Sequence, residues 1–207
     1  MKNLSRAFIF PSTSKRKYSR KKGQIILNEF EIKILDFIRE HLACPFLDAV
    51  MPLITSLANG GIIWIIAAVL LLIFKKSRKT GFSVALALIT GLIIGNLILK
   101  NLVGRIRPYE FNEGVEILVA RLSDYSFPSG HTLASFEAAT VLLIRDKRLG
   151  VPALVLAVAI AFSRLYLYVH YPTDVLAGII LGVLIGIFAC KTVDKLENRL
   201  SARKSRQ

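Results

Sequence analysis

"VPALVLAVAIAFSRLYLYVHYPTDVLAGIILGVLIGIFAC", Val151 to Cys190, decides the fold. Two apolar runs, each near the length needed to cross a bilayer core about 30 Å thick, flank a short stretch that carries Arg164, His170 and Asp174. Ionisable groups beside lipid are costly, so three of them at the mouth of two helices point to an internal site. A spanning segment must also satisfy its own backbone hydrogen bonds, which makes the runs helices.

The same pattern recurs along the chain. Hydrophobic residues make up 54% of the 207 positions, and the mean hydropathy is +0.54. These values place the chain among all-α polytopic membrane bundles and exclude a barrel of alternating strands. Five clear spans are expected: Ala58 to Phe74, Gly81 to Val103, His131 to Ile144, Val151 to Tyr168 and Thr173 to Val193. The third is short and holds Ser135, Glu137 and Thr140, so one side should face the bundle interior, with a hydrogen bond to a neighbouring helix sufficing for Glu137.

Before these spans, residues 1–24 form a basic polar tail without an apolar core of signal-peptide length. From Ile25 to Leu42, Ile26, Phe30, Ile34, Phe37 and Ile38 oppose Glu29, Glu31, Lys33, Asp36, Arg39 and Glu40, the pattern of an amphipathic interfacial helix. Residues 42–58, interrupted by Pro45, Asp48 and Pro52, read as a sixth segment, either a broken span or a second interfacial piece. Residues 25–193 thus make the membrane domain, and 194–207 a second basic tail.

The net charge of +14 resides in four clusters, Lys15 to Lys22, Lys75 to Lys79, Arg145 to Arg148 and Lys191 to Arg206. Short basic loops stay on the cytoplasmic side, which puts the last three clusters against anionic lipid headgroups there, and Lys15 to Lys22 with them if residues 42–58 span. Nucleic acid is set aside as a partner because the clusters flank spans. The loop Gly104 to Pro128 and the turn His170 to Pro172 then lie outside. Cys44 and Cys190 read as small packing residues, Gly178, Gly182 and Gly186 as a smooth strip for close helix packing, and Gly91 and Gly95 as a second such strip.

Three polar groups meet at the predicted outer ends: Lys100 with Arg107, Ser129-Gly130-His131, and Arg164 with His170 and Asp174. Three cations, two imidazoles, a hydroxyl and a carboxylate suit a phosphate. Lys100, Arg107 and Arg164 would neutralise its oxygens. Ser129 and Gly130 precede a helix whose N–H groups offer an anion seat. Asp174, four residues after His170, is placed to hold one imidazole nitrogen so that the other can attack phosphorus, and His131 would be the general acid. His41 has no such company and is a bystander. Tyr166, Tyr168 and Tyr171 read as interfacial aromatics, and Glu110, Glu113, Glu116 and Asp124 as acids of a solvated loop.

"KNLVGRIRP" (Lys100 to Pro108), "PSGH" (Pro128 to His131) and "SRLYLYVHYPTD" (Ser163 to Asp174) resemble the three signature motifs of the type 2 phosphatidic acid phosphatase family, in order and with matching spacing. The resemblance implies a lipid phosphatase that needs no metal or cofactor. His170 would form a phosphohistidine, oriented by Asp174. His131 would serve as acid, and Lys100, Arg107, Ser129, Gly130 and Arg164 would hold the phosphate. The short chain with its interfacial N-terminal helix resembles undecaprenyl diphosphate phosphatases more than enzymes for phosphatidylglycerol phosphate or phosphatidic acid. A non-catalytic lipid carrier is the rival class, and the sequence leaves the oligomeric state open.

Overall fold

A computed structural model describes residues 22–112 and 114–204. Most of the Lys15 to Lys22 cluster, most of the N-terminal tail, Glu113 and the last three residues lie outside the described residues. Among those described, the chain is all-helical.

Helix α1 (Lys22–Leu42) is followed by α2 (Pro45–Ser56), a 3-10 turn at Asn59–Gly61 and α3 (Ile62–Ile73). Pro45 stands at the first turn of α2, where its missing N–H costs nothing. Gly60 and Gly61, at φ of 59° and 71°, turn the chain between α2 and α3. Next comes α4 (Arg78–Gly91), which runs on through a π-helical stretch (Leu92–Leu99) into α5 (Lys100–Val103). Gly104 closes that run in the left-handed conformation, its N–H donating to the Lys100 carbonyl at 3.0 Å. The short α6 (Pro108–Phe111), then α7 (Gly130–Arg145), α8 (Lys147–Tyr166) and α9 (Pro172–Lys204) complete the bundle.

Among the described residues, three stretches are long and apolar enough to cross a membrane: Arg78–Phe111, Lys147–Tyr166 and Pro172–Ala202. A fourth arises if Pro45–Ser56 and Asn59–Ile73, bent by 42°, count together. The expected five clear spans are thereby narrowed to three or four. Twelve-residue α3 is only about 18 Å long and needs α2 to approach bilayer thickness, so the anticipated sixth segment and the first span together make at most one span. Sixteen-residue α7 reaches about 24 Å and is sheathed by other helices, which is why it tolerates its polar residues. The expected C-terminal tail is largely a helical extension of α9.

Helix α7 is the hub of the main apolar core, which gathers Leu133, Phe136 and Val141 from α7, Val84 from α4, Ile160 from α8 and Ile185 from α9. The glycine strip of α9 admits it closely. A Cβ at Gly182 would lie 2.9 Å from the Glu137 nitrogen and the Leu133 carbonyl, and one at Gly186 would lie 2.8 Å from Thr140 Cβ. Gly91 and Gly95 receive Glu137 and Leu133 from the other side. At the end of the bundle away from His170, Arg145 donates to Asp194 (2.8 Å), Ser83 Oγ (3.1 Å) and the Cys190 carbonyl (3.0 Å), while Lys79 pairs with Asp194 and Glu197. Cys190 is buried there as expected, whereas Cys44 is exposed.

Helix α1 departs from its expected facing. Asn28, Glu31 and Leu35, spaced three and four apart, form the face buried against the bundle, while Phe30 and Phe37 are about 60% exposed. Glu31, read from sequence as part of the solvated face, is among the most buried side chains. Its partners, given below, explain the inversion.

Candidate active site

Past Gly104 the chain is extended before α6, and two-residue periodicity turns Arg105 and Arg107 inward on one side. Arg107 donates through Nε to the Asp124 carbonyl (3.0 Å) and through Nη1 to the Val169 carbonyl (2.8 Å). That same Nη1 lies 3.3 Å from His170 Nε2. Nη2 pairs with the Asp124 carboxylate, which Lys100 also holds. The loop that brings Asp124 back is pinned by Tyr109, whose hydroxyl donates to the Leu122 carbonyl and accepts from the Leu122 N–H, both at 3.0 Å.

Asp124 therefore is not one more acid of a solvated loop, although its side chain remains half exposed. Burial pushes its carboxyl up, but the hydrogen bond from Lys100 and the charge of Arg107 outweigh that and hold it at about 2.

Arg164 closes the site from α8. It is 2% exposed, and Nη1 donates to Thr55 Oγ1 of α2 at 2.5 Å. Its Nε and Nη2 have no hydrogen-bond partner among the described residues. After α8 the chain turns at Tyr168, a non-glycine residue at φ of 59°, a conformation kept only where the surroundings impose it. They do: the Tyr168 hydroxyl donates to Asp36 of α1 (2.7 Å) and accepts from Asn112 (3.2 Å). Tyr166 likewise donates to Asp48 of α2 at 2.6 Å. The three tyrosines are buried anchors instead of an interfacial belt, because each hydroxyl or ring finds a polar partner inside the protein.

The turn aims His170 inward, where it is 1% exposed. Burial, reinforced by the charges of Arg107, Arg164, Lys100 and His131, drives its pKa well below the ordinary value and keeps the imidazole neutral. Its Nδ1 lies 3.6 Å from Asp174 Oδ2, beyond a direct hydrogen bond, and 3.4 Å from Ser126 Oγ. Ser126 donates to that same Asp174 oxygen, which also accepts from the Tyr171 N–H at 2.9 Å. The expected direct clamp of Asp174 on His170 is thus replaced by a contact relayed through Ser126, since the oxygens of Asp174 are already engaged.

His131, one residue into α7, places Nε2 2.9 Å from Asn59 Oδ1. Gly130 lies beside Asn96, whose Oδ1 would be 2.9 Å from a Cβ there. The expected anion seat is narrower than anticipated. Ser129 spends its N–H on the Asp174 carbonyl (3.1 Å) and its hydroxyl on Thr132 Oγ1 (2.9 Å), leaving the seat to the first turn from Gly130 onward. From Lys100, His131 and Gly130 a cavity of about 470 Å³ descends between α3 and α4, past Glu137 and Gly91, to the apolar side chains of Val69, Leu72 and Ile89. Glu137 Oε2 has no partner among the described residues, contrary to the expected interhelical hydrogen bond.

All eight residues singled out from sequence lie in or beside one cluster. Sequence reading missed Ser126, Thr55, Asn59 and, above all, Arg105 with Glu31. Arg105 donates to Asp174 Oδ1 (2.7 Å), Thr173 Oγ1 (2.7 Å) and Asn28 Oδ1 (2.7 Å), pairs with Glu31 and stacks 3.7 Å above the Tyr171 ring. The alternation Arg105-Ile106-Arg107 was the available signal.

Residues 78–197 match the family described as PAP2 superfamily. The chain is 34% identical over 146 residues to a protein of Sulfolobus acidocaldarius named undecaprenyl-diphosphatase, covering 68% of this chain and 70% of that one. Two solved structures are similar. Aquifex aeolicus LpxE has a TM-score of 0.69 at 28% identity, covering 77% of this chain and 94% of its own. The first transmembrane PAP2 type phosphatidylglycerolphosphate phosphatase from Bacillus subtilis has a TM-score of 0.65 at 26% identity, covering 85% and 89%. With its three motifs gathered around His170, the chain belongs to the PAP2 superfamily and is a lipid phosphatase.

Proposed function

We propose that the protein hydrolyses a lipid diphosphate, undecaprenyl diphosphate to undecaprenyl phosphate, through a phosphohistidine on His170. The observation that carries this reading is Arg164, a buried guanidinium whose Nε and Nη2 have no hydrogen-bond partner among the described residues, close enough to His170 to lower its pKa. A phosphate oxygen is the partner such a fork fits.

Substrate phosphate displaces the Asp124 carboxylate from Lys100 and Arg107 and engages Arg164. The neutral His170 directs the Nε2 lone pair at phosphorus, with Nδ1 turned toward Ser126 and Asp174. As the Nε2–P bond forms at the terminal phosphorus, the bond from that phosphorus to the bridging oxygen breaks, and His131, entering protonated, gives its proton to this departing oxygen of undecaprenyl phosphate. In the second half, water gives a proton to His131 and its oxygen attacks phosphorus. The P–Nε2 bond then breaks, and inorganic phosphate leaves. The three cations carry the oxygen charge throughout, so the reaction needs no metal.

The tail of the lipid lies in the cavity between α3 and α4. Helix α7 crosses the membrane as a fifth, protein-sheathed span, residues 25–193 form the catalytic membrane domain, and the basic clusters at the opposite end face anionic cytoplasmic headgroups. The site then opens to the extracellular or periplasmic side. The name of the Sulfolobus relative supports the diphosphate, while the Bacillus structure favours phosphatidylglycerol phosphate as the second reading.

The test is phosphate release by purified protein from undecaprenyl diphosphate, phosphatidylglycerol phosphate and phosphatidic acid, with His170→Ala in parallel. We expect the diphosphate to be cleaved fastest, EDTA to leave the rate unchanged, and His170→Ala to lose at least about 10³-fold in kcat. Release that survives His170→Ala would overturn the nucleophile. No release from any lipid would favour a non-catalytic lipid carrier.

A further inference from the structure

We propose that Arg105 and Glu31 form a positioning pair for Asp174, so that α1 is part of the active site as well as a contact with the membrane surface. The inference rests on His170 being the nucleophile.

Asp174 is fully buried, and its two oxygens have different duties. Oδ2 faces Ser126 and the Nδ1 side of His170. Oδ1 is held by Arg105 Nη1 at 2.7 Å, which fixes the rotation of the carboxylate and so the direction in which Oδ2 points. Arg105 is itself fixed from three sides. Glu31 and Asn28 of α1 take Nη2, Thr173 shares Nη1, and the guanidinium plane rests on Tyr171.

Glu31 has a second task. Its Oε1 accepts from the Thr173 N–H and the Thr173 hydroxyl, both at 2.7 Å. Pro172 leaves no N–H at the first position of α9, so Thr173 has the first N–H to satisfy, and Glu31 caps it from another helix. The helix turn that carries Asp174 is therefore set by α1, across 142 positions of sequence.

Two carboxylates share one guanidinium in a site closed to water, where removing the cation would leave both uncompensated. Lysine would keep the charge but could not present a fork to Asp174 and Glu31 together. Arg105 and Glu31 touch no reacting atom. They act through Asp174, and their loss should reduce turnover while leaving the phosphate seat of Lys100, Arg107 and Arg164 intact.

The experiment compares wild type, Arg105→Lys and Glu31→Gln on the panel lipid that the wild-type protein cleaves fastest. It measures kcat, KM, the inhibition constant of inorganic phosphate and the melting temperature. We expect Arg105→Lys to lose about 10- to 100-fold in kcat and Glu31→Gln about 3- to 10-fold, with the phosphate inhibition constant within about twofold of wild type. Should Arg105→Lys not fold, Glu31→Gln alone decides by the same split. Unchanged kcat in the folded variants overturns the proposal. So does a fall in kcat matched by an equal weakening of phosphate inhibition, which would put the pair in the phosphate seat. Wild-type protein that releases no phosphate from any lipid instead overturns the phosphatase reading, and this inference with it.

Discussion

Arg105 and Arg107 stand two residues apart, both buried and both aimed at the same histidine–aspartate pair, yet they keep different company. Arg107 is paired with Asp124, a half-exposed acid on a loop and the partner that the proposed substrate anion would displace. Arg105 is locked between Asp174 and Glu31, which are 0% and 2% exposed, and over the ring of Tyr171. A cation that must bind has a partner it can give up. A cation that must position has partners it cannot.

The largest effect expected from this contrast is at Arg107. Arg107→Ala should lower kcat/KM by about 10²- to 10⁴-fold and weaken inorganic phosphate inhibition in parallel, because charge on the transferring group loses a preorganised donor. Arg105→Lys, by comparison, should leave phosphate inhibition untouched. If Arg107→Ala lowered kcat and spared phosphate inhibition, the two arginines would share one role and the contrast would fail.

This difference also marks how much of the molecule was legible in the sequence. The groups proposed to meet a phosphate are cations, imidazoles and a helix start at the ends of apolar runs, so Lys100, Arg107, Arg164, His131 and His170 could be singled out directly. The helical class was legible for the same reason: lipid allows only one reading of long apolar runs. Span count was less so, since α7 is too short for lipid alone and survives through the helices around it. The supporting residues were hidden because their meaning lies in partners distant in sequence. Glu31 on an amphipathic helix looks solvated until Arg105 is placed beside it, and Tyr168 looks interfacial until Asp36 is. Burying a charge or a hydroxyl is tolerable only with such a partner.

A second, intermediate effect follows on the positioning side. The Tyr168 hydroxyl ties the strained turn before His170 to Asp36 of α1. Tyr168→Phe should cost about 1–2 kcal/mol, since Asp36 and Asn112 each lose a bond, and lower the melting temperature in detergent. The phosphate inhibition constant should not move. A variant as stable as wild type would show that α1 docks without this anchor.

The smallest effect is at Asp124, and it runs in the opposite direction. If the carboxylate occupies the seat that phosphate takes, Asp124→Asn removes a competitor, and inorganic phosphate should bind about 3- to 10-fold more tightly, the scale of one partly screened ion pair. The sign with pH is fixed by the depressed pKa. Its contribution to stability is present above the unfolded value, near 4, and is lost only as pH falls through about 2. The carboxylate thus stays ionised across the working range, and the ratio of wild-type to variant inhibition constants should be flat from about pH 5 to 8. A ratio that shrank toward one on acidification to pH 5 would mean that Lys100 and Arg107 hold Asp124 loosely. An Asp124→Asn protein that bound phosphate more weakly would make the acid a partner of the seat instead of its rival, and Arg107 would then be as permanently paired as Arg105.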